Sequence, residues 1–93
     1  MVVGILQLEL TIPSANSLKD KRQVLRSLKD RIRRSFNVSV AEVGENDQWR
    51  SAVLAVVVAS NDKGFANRVL SKVVDVVGDS RDIILEDYQL GLI

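Results

Sequence analysis

The feature that most restricts the fold is an uninterrupted apolar run of eight residues, Ala52 to Ala59, which contains four valines and one leucine. β-Branched residues favour strands, and a strand with no polar residue at alternate positions is typical of the middle of a sheet that is covered on both faces. The run therefore predicts a central strand, from about Trp49 to Ser60, with further strands on either side of it.

Two earlier segments supply neighbouring strands. Apolar residues occupy alternate positions from Val2 to Ile12, and Pro13 ends the pattern, so this segment predicts a first strand with one apolar face and one mixed face. The short run Val38–Val43 predicts a second strand. The polar residues 44–48, between it and the central strand, form a loop of hairpin length.

The segment from Ser17 to Asn37 predicts the first helix. Ser17 is a suitable N-cap because its hydroxyl can accept a hydrogen bond from the first turn, and Asn37 is expected to be left-handed at the C-terminal end. Apolar residues recur at spacings of three and four and predict a stripe that faces the core: Leu18, Val24, Leu25, Leu28, Ile32 and Phe36.

A second helix is predicted from Lys63 to Val77, with Asn61 or Asp62 as N-cap and Gly78 at its C-terminal end. Five of its residues are valines, which are poor helix formers, so tertiary burial must hold this helix. The predicted inward stripe consists of Phe65, Val69, Val73 and Val76, widened by Ala66, Leu70, Val74 and Val77.

The last segment, about Arg81 to Leu90, predicts a fourth strand whose apolar residues change phase, and a bulge near Glu86 reconciles its two halves. The order βαββαβ is that of the ferredoxin-like fold. We therefore predict a single ferredoxin-like domain over residues 1–93, of the α+β class. It is a sandwich in which a four-stranded antiparallel sheet, with strands one and three in its centre, carries two helices on one face.

Two helices on one side of a sheet leave its other face open. We expect this face to carry Val3 and Ile5 together with either Val53, Ala55 and Val57 or the alternate set of the central strand. Exposed apolar patches of this kind are usually covered by a partner. The pattern therefore favours a homodimer through the open sheet face, or a tail packed over it, against the alternative of a merely hydrophobic open face.

The first helix also holds most of the positive charge. Residues 17–34 contain eight Lys and Arg against two acids, whereas the rest of the chain contains five against ten. At 100° per residue, five of the cations share an arc of about 80° and form a line about 21 Å long that contains no acid. We call these residues the basic row: Lys19, Arg22, Arg26, Lys29 and Arg33. The basic row is either a solvated face, as most charge runs are, or a contact surface for phosphates or an acidic protein.

The residues of common catalytic and metal sites are missing. The chain has no Cys, no His and no Gly-rich phosphate loop, which excludes disulfides, thiolate metal sites, histidine bases and P-loops. We predict no enzymatic activity, no cofactor and no metal. Of the four aromatic residues, Phe36 and Phe65 belong to the helix stripes and only Trp49 and Tyr88 fall on strands, so no base-stacking platform is expected on the sheet. No apolar segment is long enough to cross a bilayer and no signal peptide pattern is present, so we expect a cytoplasmic protein without a membrane partner.

Four segments resemble a known family: SLKDKR at Ser17–Arg22, FNVSVAEV at Phe36–Val43, the Asp47-x-Trp49 step, and VASND at Val58–Asp62. They are similar to the YlxP-like family of small bacterial proteins of unknown function, over nearly the whole chain. The resemblance implies a ferredoxin-like α/β fold. Because genes of this family are often found beside translation and ribosome-maturation genes, it also implies a ribosomal or RNA-linked role. It implies no catalytic residue.

Two functional hypotheses follow. In the first, a cytoplasmic protein contacts the phosphates of RNA or the ribosome through the basic row, with Lys21, Arg31 and Arg34 helping from other angles. In the second, the protein is a homodimeric interaction module that uses the open sheet face, the basic row is solvated, and there is no nucleic-acid role. An enzyme is the least favoured alternative because the usual catalytic groups are missing.

Overall fold

The computed structural model describes residues 1–93 and has the element order βαββαβ. The four strands form one antiparallel sheet in the order β2-β3-β1-β4, so the predicted central strands, β1 and β3, are confirmed. The ferredoxin-like arrangement of the sheet and the two helices is confirmed as well. The elements are β1 (Val2–Thr11), α1 (Leu18–Ser35), β2 (Ser39–Gly44), β3 (Ser51–Ser60), α2 (Lys63–Gly78) and β4 (Ile84–Leu92).

The core lies between the helices and one face of the sheet. It contains the alternate residues of β1 that the sequence assigns to its apolar face, and the four residues of β3 that lie beside them: Ala52, Leu54, Val56 and Val58. Helix α1 packs over β2, and α2 packs over β1, β3 and β4. Leu25, Leu28 and Ile32 bury α1 in this core, and each contributes about 1.5–3 kcal/mol of transfer free energy.

Helix α1 begins as predicted and ends differently. The Ser17 hydroxyl accepts a hydrogen bond from the Asp20 backbone amide at 3.1 Å, which is the expected N-cap. The helix ends at Ser35, and Phe36 turns the chain out in an extended conformation. The predicted left-handed Asn37 is wrong, because the only non-glycine residue with a positive φ is Glu45. Because the chain continues from α1 into β2 in an extended conformation, no left-handed residue is needed at the end of the helix.

Helix α2 has the predicted cap at Asp62, whose carboxylate accepts hydrogen bonds from the backbone amides of Gly64 and Phe65. Its buried residues are Ala66, Leu70, Val73 and Val77. The prediction that Phe65 points inward is wrong, since its side chain is 49% exposed. The buried residues define a stripe that is rotated away from Phe65, and Ala66 takes the inward position of the first turn.

The predicted bulge in the last strand is confirmed. Strand β4 starts at Ile84, three residues later than expected, and pairs with β1 throughout. Glu9 pairs with Asp87 and Leu10 pairs with Leu85, so Glu86 is the extra residue that changes the phase of the strand. As a result Leu85, Tyr88 and Leu90 lie on the helix side of the sheet.

The open face of the sheet is bare, which corrects the expectation that β3 is covered on both faces. Strand β3 is central, but its residues Val53, Ala55 and Val57 are only partly buried because no helix covers that side. Ile5 pairs with Val57 and is 38% exposed, and Val43 at the β2 edge is 54% exposed. The corner nearest β4 is polar, since Glu9 and Asp87 face each other there.

Candidate nucleic-acid interface

The basic row runs along the flank of α1 that borders its buried stripe and faces β2. Three of its members, Lys19, Arg22 and Arg26, are exposed, Lys29 is partly exposed, and Arg33 is 48% exposed. The helix is held by an apolar stripe on its inner side, so the direction of the row is fixed by the packing of α1 on β2. The structure thus keeps the five cations on one surface.

Four members of the basic row line a shallow groove of about 490 Å³ between α1 and β2. Asp30 and Glu42 are the acids in its wall, and Leu25 forms part of its floor. We call this surface the basic groove, and its cations are Arg22, Arg26, Lys29 and Arg33. Lys19 lies on the same flank but outside the groove, nearer to the N-terminal end of α1.

Arg33 closes one end of the basic groove. Its guanidinium donates a hydrogen bond to the backbone carbonyl of Val40 at 2.9 Å, which fixes the side chain against β2. The carboxylate of Asp30 lies 4.0 Å away, and both side chains are about half exposed, so this ion pair is weak. Arg22, Arg26 and Lys29 have no hydrogen bond or ion pair to a protein group. Their charges are therefore available to an anion.

Lys21 is not a surface cation, contrary to the expectation that it helps the basic row. Its side chain is 1% exposed, and its ammonium donates hydrogen bonds to the carbonyls of Glu45 at 2.8 Å and Ser51 at 3.1 Å, with Asn46 at 3.5 Å. The sequence held a signal for this burial. Lys21 follows Leu18 by three residues and precedes Leu25 by four, which places it on the core-facing stripe.

Of the other two expected helpers, Arg31 differs from the prediction, whereas the role of Arg34 stays a prediction. Arg31 is partly buried and donates a hydrogen bond to the hydroxyl of Ser80 at 2.9 Å, so it ties α1 to the segment after α2. Arg34 is exposed and lies outside the groove. Among the cations of α1, the basic row therefore forms the set that shares one flank of the helix.

The loop between β2 and β3 is held by α1 and by the residues that precede this helix, which sequence reasoning missed. Lys21 holds both ends of this loop through the carbonyls of Glu45 and Ser51. Arg50 donates hydrogen bonds to the Ala15 carbonyl at 2.9 Å and to the Asn16 side chain at 3.3 Å. These contacts place the loop against the N-terminal end of α1. Nothing in the spacing of the sequence reveals them, because they join residues that are 24 to 35 positions apart.

The cations around the basic groove suit the binding of an anion. Arginine offers paired donors that match the oxygens of a phosphate or carboxylate, and lysine adds a compact charge. No group of three or more His, Cys, Asp or Glu side chains converges anywhere in the structure. The groove can therefore neutralise several negative charges in a row.

A ferredoxin-like α+β domain with one cationic helix flank is the class that this fold and site define. The chain belongs to the family described as "Protein of unknown function (DUF503)", which matches residues 3–90. It is 29% identical over 82 residues to the uncharacterized protein YlxP of Bacillus subtilis (strain 168), which covers 88% of this chain and 89% of that protein. The resemblance drawn from the four sequence segments is thereby confirmed.

Two designed proteins of known structure share the fold. The de novo designed protein Foldit4 superposes with a TM-score of 0.57 at 9% identity and covers 100% of this chain and 97% of its own. The de novo designed protein LFR1 1, described as having a ferredoxin fold, also has a TM-score of 0.57, at 11% identity, over 100% of this chain and 84% of its own. At such low identity the likeness concerns the fold alone.

Neither α1 nor α2 is both long and apolar enough to traverse a bilayer.

Proposed function

We propose that this protein binds structured RNA, free or in the ribosome, and that the basic row contacts the phosphate backbone. The observation that supports this proposal is the set of three cations in the basic groove, Arg22, Arg26 and Lys29, that have no protein partner. Like charges three and four residues apart repel one another at about 0.2–0.5 kcal/mol per pair. A row of phosphates removes this repulsion and releases the counterions of the RNA.

The geometry favours an extended polyanion over a single small anion. Arg22 and Arg33 lie eleven residues apart on a straight helix, which corresponds to about 16 Å. No single phosphate spans this distance, whereas successive phosphates of a strand can occupy the whole groove. The acids of the chain lie mainly outside residues 17–34, so the field of the molecule orients the basic row towards the RNA.

The proposal is tested with a triple variant and a matched control. In the first protein Arg22, Arg26 and Lys29 are replaced by Gln; in the control Lys63, Arg68 and Lys72 of α2 are replaced by Gln. Both sets lower the net charge by three, and all six residues are exposed or partly exposed. Co-sedimentation with ribosomes and binding to a structured RNA are measured at several salt concentrations, after thermal unfolding has shown that both variants fold.

We expect the first variant to lose most of its binding and its dependence on salt. Each phosphate contact contributes about 0.7–0.9 to the slope of log affinity against log salt, so the loss of three contacts flattens the slope by about 2–3. The control variant keeps the slope of the parent protein. Equal binding by the parent protein and the triple variant would exclude the basic row as an RNA contact surface.

A second candidate function is supported by the open face of the sheet. Val3, Ile5 and Val57 form a partly exposed aliphatic patch on the two central strands; Ala55 and Val53 extend it along β3, opposite Gln7 and Glu9 of β1, and Val43 is exposed at the edge. We propose that a second copy of the chain covers this surface, since large exposed apolar patches are uncommon on monomers. The basic row lies on the helix side of the sheet and stays free in such a homodimer.

The dimer is tested by sedimentation velocity of the purified protein. We expect a dimer at micromolar concentration, and we expect Ile5→Lys to convert it to a folded monomer. Phe65→Lys is the control, because Phe65 is similarly exposed but lies on α2. A parent protein that is monomeric at high micromolar concentration would exclude this second proposal.

A further inference from the structure

The β2–β3 loop carries a large aromatic side chain that the fold does not use. Trp49 is 54% exposed and lies outside both strands of the hairpin, although the sequence predicts it as the first residue of β3. It makes no hydrogen bond to the protein. An indole in this position leaves much of its apolar surface in water, which is unfavourable unless a ligand covers it.

The loop that presents Trp49 is tied down on both sides. The buried ammonium of Lys21 donates hydrogen bonds to the carbonyls of Glu45 and Ser51, which lie at the two ends of the loop. The guanidinium of the next residue, Arg50, donates hydrogen bonds to Ala15 and Asn16, which precede α1. Trp49 thus lies in a loop that is hydrogen-bonded to Lys21 of α1, the helix that carries the basic row, and to the residues that precede this helix.

We propose that Trp49 stacks on an unpaired base of the RNA whose phosphates lie along the basic row. This inference rests on the proposed function and names the class of ligand more narrowly: an RNA in which a single-stranded segment adjoins the strand that occupies the groove. A positively charged groove next to an aromatic platform is the usual combination in proteins that bind single strands, because the cations hold the backbone and the ring accepts a base.

The other exposed aromatic residues do not share this placement. Phe65 lies in the first turn of α2, which follows the far end of β3, about 33 Å along the strand from the β2–β3 loop. Tyr88 lies on β4 beside α2, in a surface depression with Asn67, Ser71 and Asp75. Among these aromatic residues only Trp49 lies in a loop that α1 holds through Lys21, so we infer one stacked base rather than a platform of several.

The experiment uses two short RNA duplexes that are identical except in a single-stranded overhang. One overhang carries adenosines, and the other has the same sugar and phosphate chain with abasic sites. The two RNAs thus offer the same charges, and they differ only in the bases that can stack. Trp49 is the only tryptophan of the chain, so its fluorescence reports the stacking directly in the parent protein.

We expect the adenosine overhang to quench Trp49 fluorescence and to bind about 10-fold more tightly than the abasic one. Trp49→Leu removes this difference and leaves the affinity for the abasic RNA unchanged, whereas Trp49→Phe retains most of it. Phe65→Leu is the matched control, since Phe65 is 49% exposed and Trp49 is 54% exposed. We expect the Phe65→Leu variant to bind both RNAs with the affinity of the parent protein.

The failures of the two proposals are distinguishable. If both RNAs bind equally to the parent protein and to Trp49→Leu, while the triple Gln variant has lost binding, stacking is wrong and the phosphate contact stands. Quenching by the abasic RNA to the same extent as by the adenosine RNA would also overturn the stacking, because it reports a loop movement without a base. If neither RNA binds the parent protein, both proposals fall.

Discussion

The ammonium of Lys21 lies 3.0 Å from Oε2 of Glu42, in a site where the Lys21 side chain is 1% exposed and that of Glu42 is 19% exposed. The Glu42 oxygen is buried and accepts no hydrogen bond of proper geometry, so the contact with Lys21 is electrostatic. The ammonium donates its hydrogen bonds to backbone carbonyls at the two ends of the β2–β3 loop, those of Glu45 and Ser51. One side chain of α1 therefore joins the helix to the β2 strand and to the loop that carries Trp49.

Lys21→Met is expected to lower the free energy of unfolding by about 3 kcal/mol, because it leaves the buried Glu42 carboxylate and the loop carbonyls without their cation. Urea denaturation measures the change. Lys19→Met, at an exposed site on the same helix, is the control and should change stability by no more than about 0.5 kcal/mol. Adding Glu42→Met to Lys21→Met should restore part of the loss, since no buried charge then stays unpaired. Equal stability of the two single variants would show that the buried lysine is dispensable.

Glu45→Asn is expected to stabilise the fold by about 0.5–1 kcal/mol. Glu45 has a φ of 60°, a left-handed conformation that disfavours most side chains and that asparagine tolerates better. Its carbonyl accepts the hydrogen bond of Lys21, and the substitution leaves this backbone group in place. Asp47→Asn, which removes a charge from the same loop at a residue without a positive φ, serves as the control. A midpoint of thermal unfolding no higher than that of the control would contradict the prediction.

Gly4→Ala is expected to destabilise the core by about 1–3 kcal/mol through overpacking. A Cβ at this position would lie 2.8 Å from Cδ1 of Leu70 and 3.0 Å from Cγ1 of Val58, so the buried Leu70 side chain would have to move in a packed core. At Gly91, on the open side of β4, a Cβ meets nothing within 4 Å. Gly91→Ala should therefore be neutral or slightly stabilising in the same denaturant titration. The prediction fails if the two substitutions have the same effect.

Asp30→Asn is expected to raise the affinity for RNA about twofold, because it removes an acid from the wall of the basic groove. Stability should change little, since the ion pair with Arg33 is exposed and 4.0 Å long. Asp75→Asn on α2 removes an equal charge outside the groove and is the control. Fluorescence anisotropy of a labelled RNA at low salt measures both. Equal gains in the two variants would indicate a nonspecific charge effect rather than a local one.

Local patterns determined the fold of this protein to a large extent. Alternation in β1, the unbroken apolar run in β3 and the three-and-four spacing of α1 predicted their elements because each side chain direction is fixed by the backbone geometry of its own element. The change of phase at Glu86 likewise predicted the bulge that the pairing with β1 confirms. Errors occurred at element ends, as at Asn37 and Trp49, where the path of the chain between elements decides the conformation.

The candidate site, like the fold, was predicted from the sequence only in part. The sequence by itself determined that five cations share one flank of α1, since this follows from 100° per residue and needs no other part of the chain. Only the tertiary structure decided that Lys21 is buried among carbonyls, that Arg33 is fixed on Val40, and that Lys21 and Arg50 hold the loop that contains Trp49. These contacts join α1 to residues beyond its C-terminal end, and they form because packing on β2 and β3 brings distant backbone groups within hydrogen-bond distance. No spacing along the chain encodes that proximity.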